Sequence, residues 1–183
     1  MRIPQSENLS TQRMSHVFDK TVATYKFYWF IGILDLYIKK GTTKINIWDI
    51  MIEMVANAWY PICYFHLSFG KSESLYEAIL KMQKEFDLPI NISVSDLRTW
   101  LHQNISDRRV IAMMKFLQLN VPYRFLRPWI NTSDDKQTEL RSLDFENGCP
   151  YRLLRVSGSL WIELNNSWLE YLQTNYLILK DFA

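Results

Sequence analysis

Few residues in this chain are spaced for covalent or metal chemistry. The stretch FHLSFGKS, Phe65 to Ser72, ends like a phosphate-binding loop ahead of an expected helix. Such a loop needs glycine at its first position, so that backbone N–H groups can curl around a phosphate. Phe65 stands there instead, and no later apolar strand ends in a clear metal-binding aspartate. The simpler reading is a turn at Gly70. SFGK, Ser68 to Lys71, matches the Ser-x-x-Lys pattern of penicillin-recognising enzymes, but the companion Ser-Asp-Asn and Lys-Thr-Gly elements are missing. Cys63 and His66 have a ligand-like spacing. A structural zinc site wants four ligands, usually in two pairs, whereas Cys149, His16 and His102 stand isolated. A buried thiol and a hydrogen-bonded imidazole in an aromatic core account for Cys63 and His66 better. The three histidines share no short motif with a carboxylate or serine, so a triad would have to assemble in space alone. Spacing therefore marks no catalytic residue and no metal ligand.

Charge is more informative. Between Arg98 and Arg127 lie six basic residues, Arg98, Arg108, Arg109, Lys115, Arg124 and Arg127, against a single acid, Asp107. Between Asp134 and Glu146 the balance reverses, with five acids against Lys136 and Arg141. In PYRFLRPW the basic side chains alternate with aromatics. That pattern can serve phosphates and stacked bases together. The alternative is that Tyr123, Phe125 and Trp129 are core while the arginines pair with the acidic segment that follows, since surface ion pairs are common.

The elements that must hold these residues are mostly helical. Residues 1–20 are polar and read as an arm or a short helix. Helical periodicity runs from about Thr24 to Lys39, with Phe27, Phe30, Ile31, Leu34 and Ile38 on one face and Gly41 as the stop. Tyr28, Trp29 and Ile33 make this helix apolar nearly all round, as expected of a central helix. A second helix begins near Trp48 and should end at Pro61. ICYFHLSF then reads either as a strand or as more helix. Capping boxes at Ser74–Glu77 and Ser167–Glu170 open two further helices. Others span about 94–103 and 107–119. Two prolines predict an extended VPYRFLRPW, and 131–148 reads as an irregular acidic connection. YRLLRV-SGS-LWIEL predicts a β-hairpin turning at Gly158.

The predicted fold is mainly α, a helical domain with a small antiparallel β-hairpin. Residues 1–130 form the helical region, 131–148 the connection, and 149–183 the hairpin and last helix of one compact domain. A 183-residue chain that is 48% hydrophobic and 15% aromatic has ample core. A net charge of +2 does not by itself imply nucleic acid. Two distant cysteines, no apolar leader and no run long enough to span a membrane point to a cytoplasmic protein.

Five stretches carry a resemblance: RIPQSENLS, SHVFDKTVATYKFYWFIGIL, MVANAWYPICYFHLSFG, LNVPYRFLRPW and LWIELNNSWLEYLQTNYLILKDF. In this order they resemble the N-terminal region of HNH endonuclease domain-containing proteins of Bacteroidetes-type bacteria, over essentially the whole chain. The resemblance implies a non-catalytic domain that positions DNA or the nuclease domain. The His-containing ββα-metal segment of such proteins lies further on, so no catalytic residue carries over and no cofactor is expected in this chain. A divalent metal is expected of a full-length HNH nuclease. The ending NYLILKDFA reads as a helix cut midway, leaving Leu177, Leu179 and Phe182 as an apolar edge for the missing C-terminal HNH domain or a homodimer partner. Arg108, Arg109, Lys115, Arg124 and Arg127 are the candidate phosphate contacts. Two other readings stand beside this one. One is a protein-interaction or oligomerisation module without nucleic-acid binding. The other is an enzyme built in space around Cys63, His66 and a carboxylate.

Overall fold

A computed structural model describes residues 3–19, 24–67 and 74–182. Among these, helices α1 (Thr11–Asp19), α2 (Tyr25–Lys40) and α3 (Ile47–Cys63) come first, with a short strand β1 (Lys44–Asn46) between the last two. Helices α4 (Ser74–Glu85), α5 (Val94–Gln103), α6 (Arg108–Ile130) and α7 (Asp135–Ser142) follow. A 3-10 turn (Phe145–Asn147), strands β2 (Tyr151–Val156) and β3 (Ser159–Leu164), and helices α8 (Asn166–Thr174) and α9 (Tyr176–Phe182) complete the order. The fold is mainly α with a small antiparallel sheet. No helix among the described residues is long and apolar enough to cross a membrane.

Local chemistry explains most of the boundaries. Gly41 closes α2 in the left-handed region at φ 63°, its N–H bonded to the Tyr37 carbonyl, a conformation that costs glycine least. The Ser93 hydroxyl caps α5 by accepting the Asp96 N–H at 3.1 Å, and donates to the Asp96 carboxylate at 2.7 Å. Asp107 caps α6 and Asp134 caps α7. The hairpin turns on Ser157 and Gly158, with φ of 49° and 80°. Positive φ at both central residues suits the twist of a two-residue hairpin.

Several expectations need correction. VPYRFLRPW is helical, because α6 continues through Pro122 and Pro128 to Ile130. Each proline removes one intrahelical bond and costs about 3 kcal/mol in a helix interior. The same turns bury Val121, Phe125, Leu126, Trp129 and Ile130, and burial of each large apolar side chain contributes about 1.5–3 kcal/mol. Packing outweighs the local penalty. Likewise α3 passes Pro61 to Cys63, so ICYFHLSF begins as more helix; residues 64 and 65 then turn, and 68 and 69 lie outside the described residues. The acidic connection contains α7 and the 3-10 turn. α8 is capped by Asn165, not Ser167: the Asn165 side-chain oxygen accepts both the Ser167 N–H at 3.0 Å and its hydroxyl at 2.8 Å. Ser74 is the first residue of α4, and the residues before it lie outside those described. The last helix is two, broken at Asn175. That break turns Leu179 into the core and sets the Phe182 ring edge-on to Phe18 at 5.4 Å, so only Leu177 of the expected apolar edge stays exposed, joined by Ile178.

The sheet has the order β1-β3-β2, both pairs antiparallel. β1 is too short to show an alternating pattern, and its three residues pair with Glu163, Ile162 and Trp161 of β3. One hydrophobic cluster extends from Ile3 to Leu179. At its centre Trp29 Nε1–H donates to the Tyr151 phenol at 3.2 Å, and that phenol donates to the Pro122 carbonyl at 2.7 Å. The two bonds tie α2, α6 and the hairpin together through otherwise apolar surroundings.

Candidate functional site

Helix α6 carries all five candidate phosphate contacts, so its surroundings decide which of them are available. At about 100° per residue on a regular helix, Arg109, Arg124 and Arg127 share one face, while Arg108 and Lys115 share another. The five therefore form two groups. Arg108 and Lys115 are exposed. Arg109 is already engaged: its guanidinium meets the Asp107 carboxylate at 2.8 Å and Glu85 at 3.8 Å, and lies 4.3 Å over the Phe86 ring. Hydrogen bonding to Asp107 raises the Arg109 pKa and lowers that of Asp107.

Arg124 and Arg127 are different. Arg124 donates from Nη1 to the Tyr25 phenol at 3.2 Å and lies 5.7 Å from the centre of the Phe116 ring. Arg127 is exposed, three residues on. Lys26, beside Tyr25 on α2, joins them. It is half-buried and donates to the Val17 carbonyl of α1 at 3.3 Å. Burial, then the charges of Arg127 and Arg124, push its pKa down. Three cations from two helices thus converge, and none pairs with a carboxylate among the described residues.

Other arginines behave otherwise. Arg98 is held bidentate by Glu53 at 2.8 and 2.7 Å, and Arg152 meets Glu163 at 2.6 Å. Arg155 is held bidentate by Glu139 of the acidic segment at 2.8 and 2.9 Å. The acidic segment therefore neutralises the hairpin, not the basic end of α6. The aromatics of PYRFLRPW do lie inward: Tyr123, Phe125 and Trp129 are buried. Lys26 went unnoticed in the sequence because it lies about a hundred residues from its neighbours on α6.

The weaker candidates differ in exposure. Cys63 is buried and its thiol is pushed up to about 11, while Cys149 is pushed up to about 12, both by burial. Protonated thiols are poor nucleophiles and poor metal ligands. His66 is exposed, in the left-handed region at φ 52°. Among the described residues no group of three His, Cys, Asp or Glu side chains could hold a metal ion. The phosphate-loop-like and Ser-x-x-Lys stretches fall largely at 68–73, outside the described residues.

Apolar side chains also gather on the surface. Tyr60 and Tyr64 stack at 4.5 Å and 8° at the end of α3, with the Phe65 ring edge-on to both. All three are exposed, Phe65 by 61%. A shallow cleft of about 390 Å³ lies between α7 and β2, with Leu140, Leu143 and Leu154 in its wall.

Comparison with family models, with curated proteins and with solved structures finds no match to this chain.

Proposed function

We propose that this chain is a non-catalytic, cytoplasmic domain of an HNH-type endonuclease that positions DNA or the nuclease domain, as its sequence resemblance suggests. One observation supports DNA contact most: Arg124, Arg127 and Lys26 form a cationic group that pairs with no carboxylate among the described residues, in a protein whose Arg98, Arg109, Arg152 and Arg155 are all ion-paired. Exposed Arg108 and Lys115 offer a second group of charges further along α6. Contacts of this type hold a duplex by its backbone and read no sequence. The Phe116 ring beside Arg124 adds a surface on which a base can stack.

The test is binding of a fluorescent duplex by anisotropy at low and moderate salt, with a divalent metal present and the DNA checked for cutting. The expected result is salt-sensitive binding without cleavage. Charge reversal of Arg124 and Arg127 should lower the log–log salt slope by about 2. Absence of binding at low salt sinks this reading.

A second reading, a protein-interaction or oligomerisation module, is favoured by the solvent-facing rings of Tyr60, Tyr64 and Phe65. It also fits the division of the basic residues over two faces of α6. It predicts self-association or partner binding that Tyr64→Ser weakens, measured by sedimentation, with no response to DNA.

A further inference from the structure

We infer that Lys26, Arg124 and Arg127 form a binding site for one phosphate dianion, the group carried by a phosphomonoester. The inference does not rest on the DNA reading. If both hold, it says which part of a strand this end of α6 takes.

The first support is unused donor capacity. A lysine ammonium has three donors and a guanidinium five. Among the described residues Lys26 uses one, on the Val17 carbonyl, and Arg124 uses one, on the Tyr25 phenol. Arg127 uses none among the described residues. The remaining N–H groups belong to neighbours: Arg124 and Arg127 are three apart on α6, a spacing that places side chains side by side. Lys26 is adjacent in sequence to the tyrosine that Arg124 contacts.

The second support is electrostatic. Three like charges in one place repel, and Lys26 is half-buried, where charge is less well solvated. Burial first, and then the charges of Arg127 and Arg124, lower the Lys26 pKa. Arg98, Arg109, Arg152 and Arg155 each meet a carboxylate; here no described carboxylate does so. An anion would relieve the repulsion in proportion to its charge. A phosphodiester carries one negative charge, whereas a phosphomonoester carries about −1.5 to −2 at neutral pH and offers three strong acceptor oxygens. Three converging cations match the latter better. A backbone-tracking surface would instead spread its charges along a groove.

The third support is how the site is held. The Lys26 stem is pinned to the end of α1 by the Val17 carbonyl, and Arg124 is braced between Tyr25 and the Phe116 ring. Two of the three cations are therefore set in place before any ligand arrives, which reduces the ordering cost of binding.

The experiment compares methyl phosphate with dimethyl phosphate at pH 7.5 and matched ionic strength, by thermal shift and by NMR of the lysine side-chain signals. Methyl phosphate is expected to raise the melting temperature and move the Lys26 signals. Dimethyl phosphate should bind at least about tenfold more weakly, by the lost charge. Lowering the pH to 5.5 should weaken methyl phosphate, whose second ionisation lies near pH 6. Lys26→Met and the exposed Arg127→Met should each abolish the response, with Arg108→Met leaving it intact. Equal binding of the two esters, or a response that survives both variants, overturns the inference. An oligonucleotide arm distinguishes the sources. Tighter binding of a 5′-phosphorylated strand than of the same strand with a 5′-hydroxyl identifies a strand end; equal binding of the two strands identifies a small phosphomonoester. DNA binding with no response to methyl phosphate overturns this inference and leaves the DNA reading standing. A response to methyl phosphate without DNA binding does the reverse.

Discussion

The Tyr151 phenol donates to the carbonyl of Pro122 at 2.7 Å, from a hairpin strand to the middle of a helix 29 residues earlier. Trp29 completes the arrangement by donating to the same oxygen at 3.2 Å. Tyr151→Phe keeps the ring and leaves a buried indole N–H without its acceptor. A loss of about 1–3 kcal/mol is expected. A fall in urea midpoint at unchanged slope checks it. Burial raises the Tyr151 pKa well above the usual phenol value. Its contribution is therefore complete below about pH 10 and is lost as pH rises through the higher folded value.

Asp35 of α2 is buried and holds α9 in place. Its Oδ1 accepts from the Tyr176 phenol at 2.7 Å and from Lys180 Nζ at 2.8 Å, and Lys39 lies 3.3 Å from Oδ2 as an ion pair without hydrogen-bond geometry. Burial alone would raise the Asp35 pKa, but the bonds from Lys180 and Tyr176 and the charges of Lys180 and Lys39 outweigh it, and the net shift is downward. The stability involved is thus present above about pH 4 and lost as pH falls through the lower folded value. Asp35→Asn should cost about 1–3 kcal/mol at pH 7. The difference from the native chain should shrink between pH 4 and pH 2. A constant difference across that range would remove Asp35 from the acid limb.

Gly32 lets α2 and α3 approach closely. A Cβ there would lie 3.0 Å from Ile50 Cγ2, 3.1 Å from the Ile50 carbonyl oxygen and 3.4 Å from Glu53 Cβ. Alanine favours helix by about 1 kcal/mol over glycine, but the carbonyl belongs to a packed helix and cannot move aside. Overpacking typically costs about 1–3 kcal/mol. Gly32→Ala is expected to destabilise on balance, read as a lower thermal midpoint. An increase would mean that the two helices separate at little cost.

Cys63 and Cys149, with thiols pushed up to about 11 and about 12, should resist iodoacetamide at pH 8 in the folded protein. Unfolding in urea should restore ordinary reactivity. Mass spectrometry of labelled native and unfolded samples gives both rates. Rapid labelling of the native protein would show that one of the two sites opens readily.

Much of this protein was written locally. The helices around Trp29, Trp100 and Leu172, the stop at Gly41 and the turn at Gly158 follow from periodicity and turn chemistry, which act over a few residues. Apart from Arg109, which meets Asp107 two residues earlier, the fate of the candidate cations did not. Glu139 takes Arg155 and leaves Arg124 and Arg127. That outcome depends on how α7 packs against β2, which no short window contains. The same holds for α6 beyond Val121. Pro122 and Pro128 argue against a helix locally, and only a core contributed by α1, α2 and the hairpin outweighs them. β1 is three residues long and exists because β3 supplies its partner edge. Sequence by itself determined where the chain can turn and which faces are apolar, because those preferences are properties of neighbouring residues. Tertiary structure decided which of the remaining charges are neutralised beyond local pairs such as Arg109–Asp107, because a counter-charge can come from any distance along the chain.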